Sequence, residues 1–413
     1  MNYDDALNYI HSLLVFGSQP GLERITELLC KLGNPQDELK YIHVAGTNGK
    51  GSACNMLCEV YKKAGLKVGL YTSPYIVDFR ERIQINGEYI PKKDLCRLCE
   101  QIKDTDVFVT EFEFITALAF LWFKEQNCDI VILEVGLGGR FDATNVIKKP
   151  LCSVIMKIDF DHTAILGNTI SEITMEKCGI IKDGSKVISY PLQNKEAFDE
   201  IKNHSENLVL PDTSELSVIS TSIEGNTFIY KGEKYKTRLV GIHQVYNAVT
   251  VIETVNSAGI PVSKSQLIDG LASAVVPARL ELMSIKPLVL LDGAHNPNGA
   301  DALSSFMENY NRQIVAVVGM MADKNCEAVL KKVLKYCSCV ITVTVNENPR
   351  TLSAGDLADI AKKYCDDVVT ARDYDNAITL ASEKSKGENP IFVFGSLYLA
   401  SAIREKLKNF YNS

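Results

Sequence analysis

The sequence predicts an α/β protein in two parts, each built on a mostly parallel sheet, the C-terminal part being the smaller. Three observations carry this. Residues 41–52 read Tyr-Ile-His-Val-Ala-Gly-Thr-Asn-Gly-Lys-Gly-Ser, an apolar strand running into a glycine-rich turn, with a helix-compatible stretch over 53–63. Residues 129–134 form a second buried-type strand, ending in Glu134 and another glycine-rich turn. Beyond Pro277-Ala278-Arg279-Leu280-Glu281, apolar strands at 288–292, 313–319, 339–345, 368–371 and 391–395 alternate with helical patterns. Such alternation is the mark of a doubly wound, Rossmann-like sheet. The boundary falls at that pattern shift and divides 1–280 from 281–413.

Composition bounds what such a protein does. A chain of 413 residues has room for two or three domains, and 46% apolar with 23% charged residues is an ordinary globular balance. A net charge of −7 argues against nucleic acid as a partner, so anionic ligands must be met by local positive charge. The acidic start, Met-Asn-Tyr-Asp-Asp, has no apolar core of a secretory signal, and no apolar run approaches a membrane span. The twelve cysteines are scattered, mostly within apolar patterns, and Cys54 and Cys58 share a helix face that reads as core. A reduced, cytoplasmic protein without paired-cysteine sites is the expectation.

In chain order, 1–33 reads as a helical hairpin with a loop at 17–21, and Gly21-Leu22-Glu23-Arg24 opens the second helix. The turn Gly46–Ser52 then has the parts of a phosphate cradle. Glycines let N–H groups converge on anionic oxygens, Lys50 adds a point charge, and Ser52 offers a Mg²⁺ ligand. Its spacing departs from G-x-x-x-x-G-K-[ST], because Gly51 separates Lys50 from Ser52. A strand at 67–71 leads to Ser73, either a turn-former or a metal-side hydroxyl. Thr110-Glu111-Phe112-Glu113 has the form of a capping box before an apolar helix to about residue 123. Glu134, at the end of an apolar strand, is costly unless paired or bound to metal.

A third strand, 151–158, leads to Asp161-His162-Thr163, and a short helix over 170–181 carries Glu176 and Lys177. Residues 186–236 read as strand-rich and polar, with hairpin signals at 224–226 and 231–233, before a helix that carries Asn247. In the C-terminal part, polar groups gather at strand ends: Asp292-Gly-Ala-His295-Asn-Pro after the first strand and Gly395-Ser396 after the last. In open α/β sheets that edge is where ligands bind.

Taken together these segments resemble the folylpolyglutamate synthase and dihydrofolate synthase branch of the Mur ligase superfamily. The resemblance runs in order through His43–Ser52, Ser73-Pro74 with Phe79-x-Glu81-Arg82-Ile83, Glu134-Val-Gly-Leu-Gly-Gly-Arg-x-Asp-Ala-Thr-Asn145, Asp161-His162-Thr163, Glu176-Lys177, His243-Gln244 with Asn247, Asp292–Pro297 and Gly395–Leu399. It implies a P-loop ATPase-type domain at 1–280 that binds ATP and folate, and a Rossmann-like glutamate-ligase domain at 281–413. The implied reaction has ATP phosphorylating a pteroate-type carboxylate, after which the amine of L-glutamate displaces phosphate.

By the same resemblance, Gly49, Lys50, Gly51, Ser52, Asn247, Arg279 and Asp292 contact ATP. Ser52, Ser73, Glu134 and His162 fall at Mg²⁺ positions. Lys177 matches a lysine that is often carbamylated, the alternative being an unmodified lysine on phosphate. His295 and Ser396 fall on the glutamate side, with His295 also counted among the catalytic residues Lys50, Glu134, His162 and Lys177. The pterin side falls to Gly21, Leu22, Glu23, Thr110, Glu111, Phe112, Glu113, Phe141, Asp142 and Ala143.

The partners implied are small molecules only, with neither nucleic acid nor membrane, acting on a monomer. A bifunctional enzyme using both dihydropteroate and tetrahydrofolate is expected, with a monofunctional polyglutamylase as the alternative. A Mur-type peptidoglycan ligase would carry a whole domain ahead of the cradle, where only about forty residues stand here. A non-catalytic regulator on this fold would be expected to lack Lys50, Glu134 or His162. Two departures stand out: Ala278 where the family commonly has glycine, and Cys178 where it often has alanine.

Overall fold

The computed structural model describes residues 1–16, 20–310, 313–345 and 351–411. Most of the loop expected at 17–21 therefore lies outside the described residues. Two compact units emerge. The first comprises Met1–Ser217, Phe228–Thr237 and Val245–Ala274; the second comprises Val218–Thr227, Arg238–Gln244 and Val275–Ser413.

The first unit holds eight strands: β1 Tyr41–Ala45, β2 Val68–Tyr71, β3 Ile83–Ile85, β4 Glu88–Tyr89, β5 Ile130–Glu134, β6 Cys152–Ile155, β7 Lys186–Ser189 and β8 Leu208–Val209. Their order is β4-β3-β2-β5-β1-β6-β7-β8. From β2 to β8 every pairing is parallel, and β3 and β4 add an antiparallel hairpin at one edge. Strands β1, β2, β5 and β6 are buried throughout, as a parallel sheet covered on both faces requires.

One covering helix, Glu111–Glu125, is buried at every position from Glu113 to Phe123. Its continuous apolar run therefore packs all round rather than on one stripe. The capping box read at Thr110 and Glu113 is present, each side chain bonding the other's backbone N–H. The central register places Val44 beside Glu134, so the cradle and the carboxylate leave the sheet at the same edge.

A three-stranded sheet, β9 Leu216–Ser222, β10 Gly225–Tyr230 and β11 Glu233–Thr237, matches the expected hairpins. The strand-rich reading of 186–236 needs correction, because Lys195–Asn203 is a helix capped by Asn194. Only Ala197 and Ile201 of that helix are buried, too few apolar positions to stand out against its charge.

The second unit is a six-stranded sheet in the order β12-β13-β17-β14-β15-β16. Its strands are β12 Glu281–Ile285, β13 Leu288–Leu291, β14 Ile314–Val318, β15 Cys337–Thr342, β16 Val368–Thr370 and β17 Ile391–Phe394. The five expected strands are parallel to one another. The sixth, β12, is an antiparallel edge strand that the sequence pattern did not announce. Among the described residues no helix is long and apolar enough to cross a membrane.

Candidate active site

The cradle is built as a strand-to-helix turn. The helix begins at Lys50, three residues earlier than the sequence pattern suggested, and runs to Lys63. Its N-cap is Gly49, at φ +89°, and no side chain caps the first turn. The first-turn N–H groups and the positive end of the helix dipole thus face the turn, as anion binding requires. Gly49 is needed twice over. A left-handed backbone disfavours any side chain, and a Cβ there would lie 2.7 Å from Oδ1 of Asn247. Asn247 is buried on the helix Ile242–Ser257 and so abuts the cradle directly.

Two lysines meet on one backbone carbonyl. Lys50 Nζ donates to Gly46 O at 3.0 Å and to Thr47 O at 3.4 Å, and Lys177 Nζ donates to Gly46 O at 3.1 Å. Burial, reinforced by the neighbouring Lys50, pulls the Lys177 ammonium down to about 7, against the opposing pull of Asp161 and Asp142. The pocket they share is walled by Gly46, Thr47, Gly136–Gly138, Asp161 and His162. The Lys50 ammonium, with Lys177 adding a donor that is charged only in part near neutral pH, gives a polar pocket suited to a polyanion, even though the chain as a whole is acidic.

Beside the lysines lies the expected metal side. Ser73 N–H donates to Glu134 Oε2 at 3.2 Å, Glu134 is 4% exposed, and Ser52 is buried. A Cβ at Gly51 would stand 3.8 Å from the same Glu134 oxygen, so helix start and carboxylate are neighbours. His162 sits on the pocket rim with a half-exposed side chain, its backbone left-handed at φ 50° and Nε2 3.9 Å from Asp161 Oδ1. It follows β6 by seven residues, not directly at the strand end. Among the described residues no three His, Cys, Asp or Glu side chains converge on one point. The expected donors are one carboxylate, two hydroxyls and a rim imidazole, with the Asp161 carboxylate also in the pocket wall. That sparse, oxygen-dominated set suits Mg²⁺, which keeps waters and takes oxygens from a bound nucleotide's phosphates.

The three segments expected on the pterin side meet in the first unit. Arg24, next to Gly21, Leu22 and Glu23, reaches Glu113 with Nε–Oε2 at 3.2 Å and a second nitrogen 3.0 Å from Oε1. Glu111 is 2.9 Å from His11 Nδ1. Phe112 lies over Gly136, where a Cβ would stand 2.5 Å from its ring. Phe141 is exposed, whereas Ala143 and Asp142 are buried. The Asp142 carboxylate is turned into its own loop. It accepts from the Leu137 and Thr144 N–H groups at 2.9 and 3.0 Å, from the Thr144 hydroxyl at 2.6 Å, and from the Gly136 backbone. Four donors fill its acceptor sites, so Asp142 shapes the wall rather than offering free lone pairs. Burial raises its carboxyl against these bonds.

In the second unit, Asp292 follows β13 and Ser396 follows its parallel neighbour β17. Asp292 accepts from the Leu280 and Ala294 N–H groups, both at 2.7 Å. Burial raises its carboxyl while the Arg279 charge opposes. Arg279 approaches the same turn, 2.9 Å from where a Gly293 Cβ would be. His295 Nδ1 donates to Gly293 O at 2.9 Å, and the Ser396 hydroxyl accepts from Tyr398 N–H at 3.0 Å.

Sequence reasoning passed over several residues here. Thr47 and Asp161 line the lysine pocket. His43, buried on β1, donates from Nε2 to the Thr144 hydroxyl at 2.8 Å, because that hydroxyl's own proton goes to Asp142. The expectation of no paired-cysteine spacing was also wrong, since Cys96-Arg97-Leu98-Cys99 is a Cys-x-x-Cys on the helix Lys92–Lys103. Burial pushes the Cys99 thiol up to about 12, which makes it core packing. All twelve cysteines are free.

Comparison with known proteins agrees with this architecture. Residues 44–255 match the Mur ligase middle domain, and residues 280–407 match the dihydrofolate synthetase C-terminal domain. The chain is 38% identical to the dihydrofolate synthase/folylpolyglutamate synthase of Bacillus subtilis, over 98% of this chain and 99% of that one. Its structure is similar to Mycobacterium tuberculosis folylpolyglutamate synthase complexed with ADP and AMPPCP, at TM-score 0.87 and 30% identity, covering 98% and 99% of the two chains. It is equally similar to Escherichia coli FolC in complex with DHPP and ADP, at TM-score 0.87 and 29% identity, covering 98% of each. The chain belongs to the folylpolyglutamate synthase/dihydrofolate synthase family of Mur ligases.

Proposed function

We propose that this protein ligates L-glutamate to folate-type carboxylates at the expense of ATP, releasing ADP and phosphate through an acyl phosphate. The observation that carries this is the convergence of Lys50 and Lys177 on Gly46 O beside Glu134 and the uncapped start of the helix Lys50–Lys63. Phosphoryl transfer between two anions asks the protein chiefly for positioning and for positive charge where negative charge accumulates. The helix start and Lys50 supply that for the terminal phosphates. Lys177 reaches the same carbonyl from another element, the helix Ile170–Cys178, and is proposed to meet the acceptor carboxylate where it approaches the γ-phosphate. Ser52, Ser73, Glu134 and His162 are the side chains proposed to hold Mg²⁺, which when bound neutralises the charge shared by ATP and acceptor.

The wall 136–138, held by Asp142 and covered by Phe112, narrows the pocket against bulk water, which would otherwise hydrolyse the acyl phosphate. In the same reading, residues 1–280 bind ATP and the pterin. Residues 281–413 present glutamate through His295 and Ser396, and Arg279 and Asp292 contact the nucleotide. A monomer working in a reducing cytoplasm fits the twelve free thiols.

The test is glutamate-dependent ADP release with ATP and Mg²⁺, run in parallel with 7,8-dihydropteroate and tetrahydrofolate. Turnover with both is the expected result. Turnover with tetrahydrofolate alone would make the enzyme a monofunctional polyglutamylase. Silence with both, against turnover with a UDP-muramyl acceptor, would overturn the reading.

A further inference from the structure

The first unit contains five arginines, and four of them have a carboxylate. Arg24 pairs with Glu113, Arg80 with Asp78 at 2.6 Å, Arg97 with Glu125 and Arg140 with Glu176. The fifth, Arg82, makes no ion pair and no side-chain hydrogen bond among the described residues, and its Nε is buried without a partner. The contrast within one turn is sharp, since Arg80, two residues earlier, holds Asp78 through both Nε and a terminal nitrogen. Arg82 is instead set among rings, with Cζ 5.3 Å from the Tyr75 ring centroid and 5.8 Å from that of Phe79. Aromatic faces hold a guanidinium in place but leave its fork of donors unused. A part-buried, immobilised and unpaired guanidinium is costly to the free protein and well prepared for a planar anion.

Its position narrows the choice of anion. The Thr72 N–H donates to Arg82 O at 3.1 Å, and Ser73, the next residue, touches Glu134. Arg82 therefore stands one residue from the metal side, yet it does not line the lysine pocket where the reacting carboxylate must lie.

We infer that Arg82 receives the non-reacting carboxylate of a glutamylated acceptor, the α-carboxylate of its terminal glutamate, and so sets preference for glutamylated over unglutamylated acceptors. The inference rests on the folate-ligase reading. Dihydropteroate carries one carboxylate, the reacting one. Tetrahydrofolate carries a second beside it.

The experiment measures kcat/KM for both acceptors in wild type, Arg82→Gln and Arg82→Lys. A charge-assisted bidentate contact predicts that Arg82→Gln lowers the tetrahydrofolate-to-dihydropteroate ratio of kcat/KM by about tenfold to a hundredfold, mainly through KM for tetrahydrofolate. Arg82→Lys, which keeps the charge and loses the fork, should fall between. Because the readout is a ratio within one preparation, loss of folded protein cancels. Equal losses with both acceptors, or an unchanged ratio, would overturn the assignment. Absence of turnover with either acceptor in the wild type would instead overturn the ligase reading itself.

Discussion

At the scale of single residues, charge decides most of what this site can do. Lys50→Ala, Glu134→Ala and His162→Ala should each lower glutamate-dependent ADP release by at least a hundredfold with little change in melting temperature. Near-wild-type turnover in any of them would remove that residue from the proposed machinery. Lys177 allows a finer test. With its ammonium drawn down to about 7 by burial, a large share of it is the neutral amine near neutral pH. The neutral amine can add CO₂, giving up a proton to become an anionic carbamate suited to Mg²⁺. If that form is the active one, the bicarbonate needed for half-maximal activity should fall as pH rises through 7. Activity indifferent to bicarbonate would favour the unmodified lysine on phosphate.

His43 gives a prediction of a different kind. Its side chain is wholly buried, and burial pulls its imidazolium down to about 3, with the Lys182 charge adding to the effect. In the unfolded chain it titrates near its ordinary value, about 6.5. Between these values the unfolded chain holds a proton that the folded one does not, so stability rises with pH across the window. It is full above 6.5 and lost as pH falls toward 3. On going from pH 7 to pH 5, His43→Gln should lose about 2 kcal/mol less stability than wild type. Parallel urea melts at the two pH values measure this directly, and identical losses would show that His43 charges freely in the fold.

At the scale of elements, the cradle and β5 were legible because their chemistry is local. The glycines, Lys50, Ser52 and Glu134 sit within short stretches whose strand patterns show in the sequence. What the sequence hid is non-local or marginal. The Arg24–Glu113 pair joins residues 89 apart, and nothing in either segment names the other. The helix Lys195–Asn203 buries two side chains, and β12 is a half-exposed edge strand whose pattern resembles a loop. The resemblance assigns Asp142 to the pterin side, but nothing in the sequence shows that its lone pairs are spent on its own loop.

The departure at Ala278 also acquires a reason here. Ala278 is fully buried with φ +54°, and Leu280 follows at φ +45°. A glycine at 278 would remove about 1 kcal/mol of backbone strain, but it would lose a buried methyl and add unfolded-state entropy of similar size. Ala278→Gly should therefore change stability by less than about 1 kcal/mol, whereas the β-branched Ala278→Val should cost more than about 2 kcal/mol. Chemical denaturation of both variants would decide it, and a well-tolerated valine would mean that the turn is free to relax.

At the scale of the whole molecule, each unit carries residues proposed to contact nucleotide. Lys50 and Asn247 belong to the first, Arg279 and Asp292 to the second. A ligand that binds only the folded state stabilises it by about 2.7 kcal/mol when present at a hundred times its Kd. If both units contribute, saturating AMPPCP with Mg²⁺ should raise the melting transition of both, although the cradle is wholly within one. Arg279→Ala should then shrink the nucleotide-induced rise in the second unit's transition and weaken nucleotide affinity about tenfold, the scale of one charge-assisted contact. Lys50→Ala should abolish the rise in both. Differential scanning calorimetry with and without nucleotide separates these outcomes. A rise confined to the first unit and indifferent to Arg279 would assign ATP to the cradle alone, leaving the second unit to act only through glutamate.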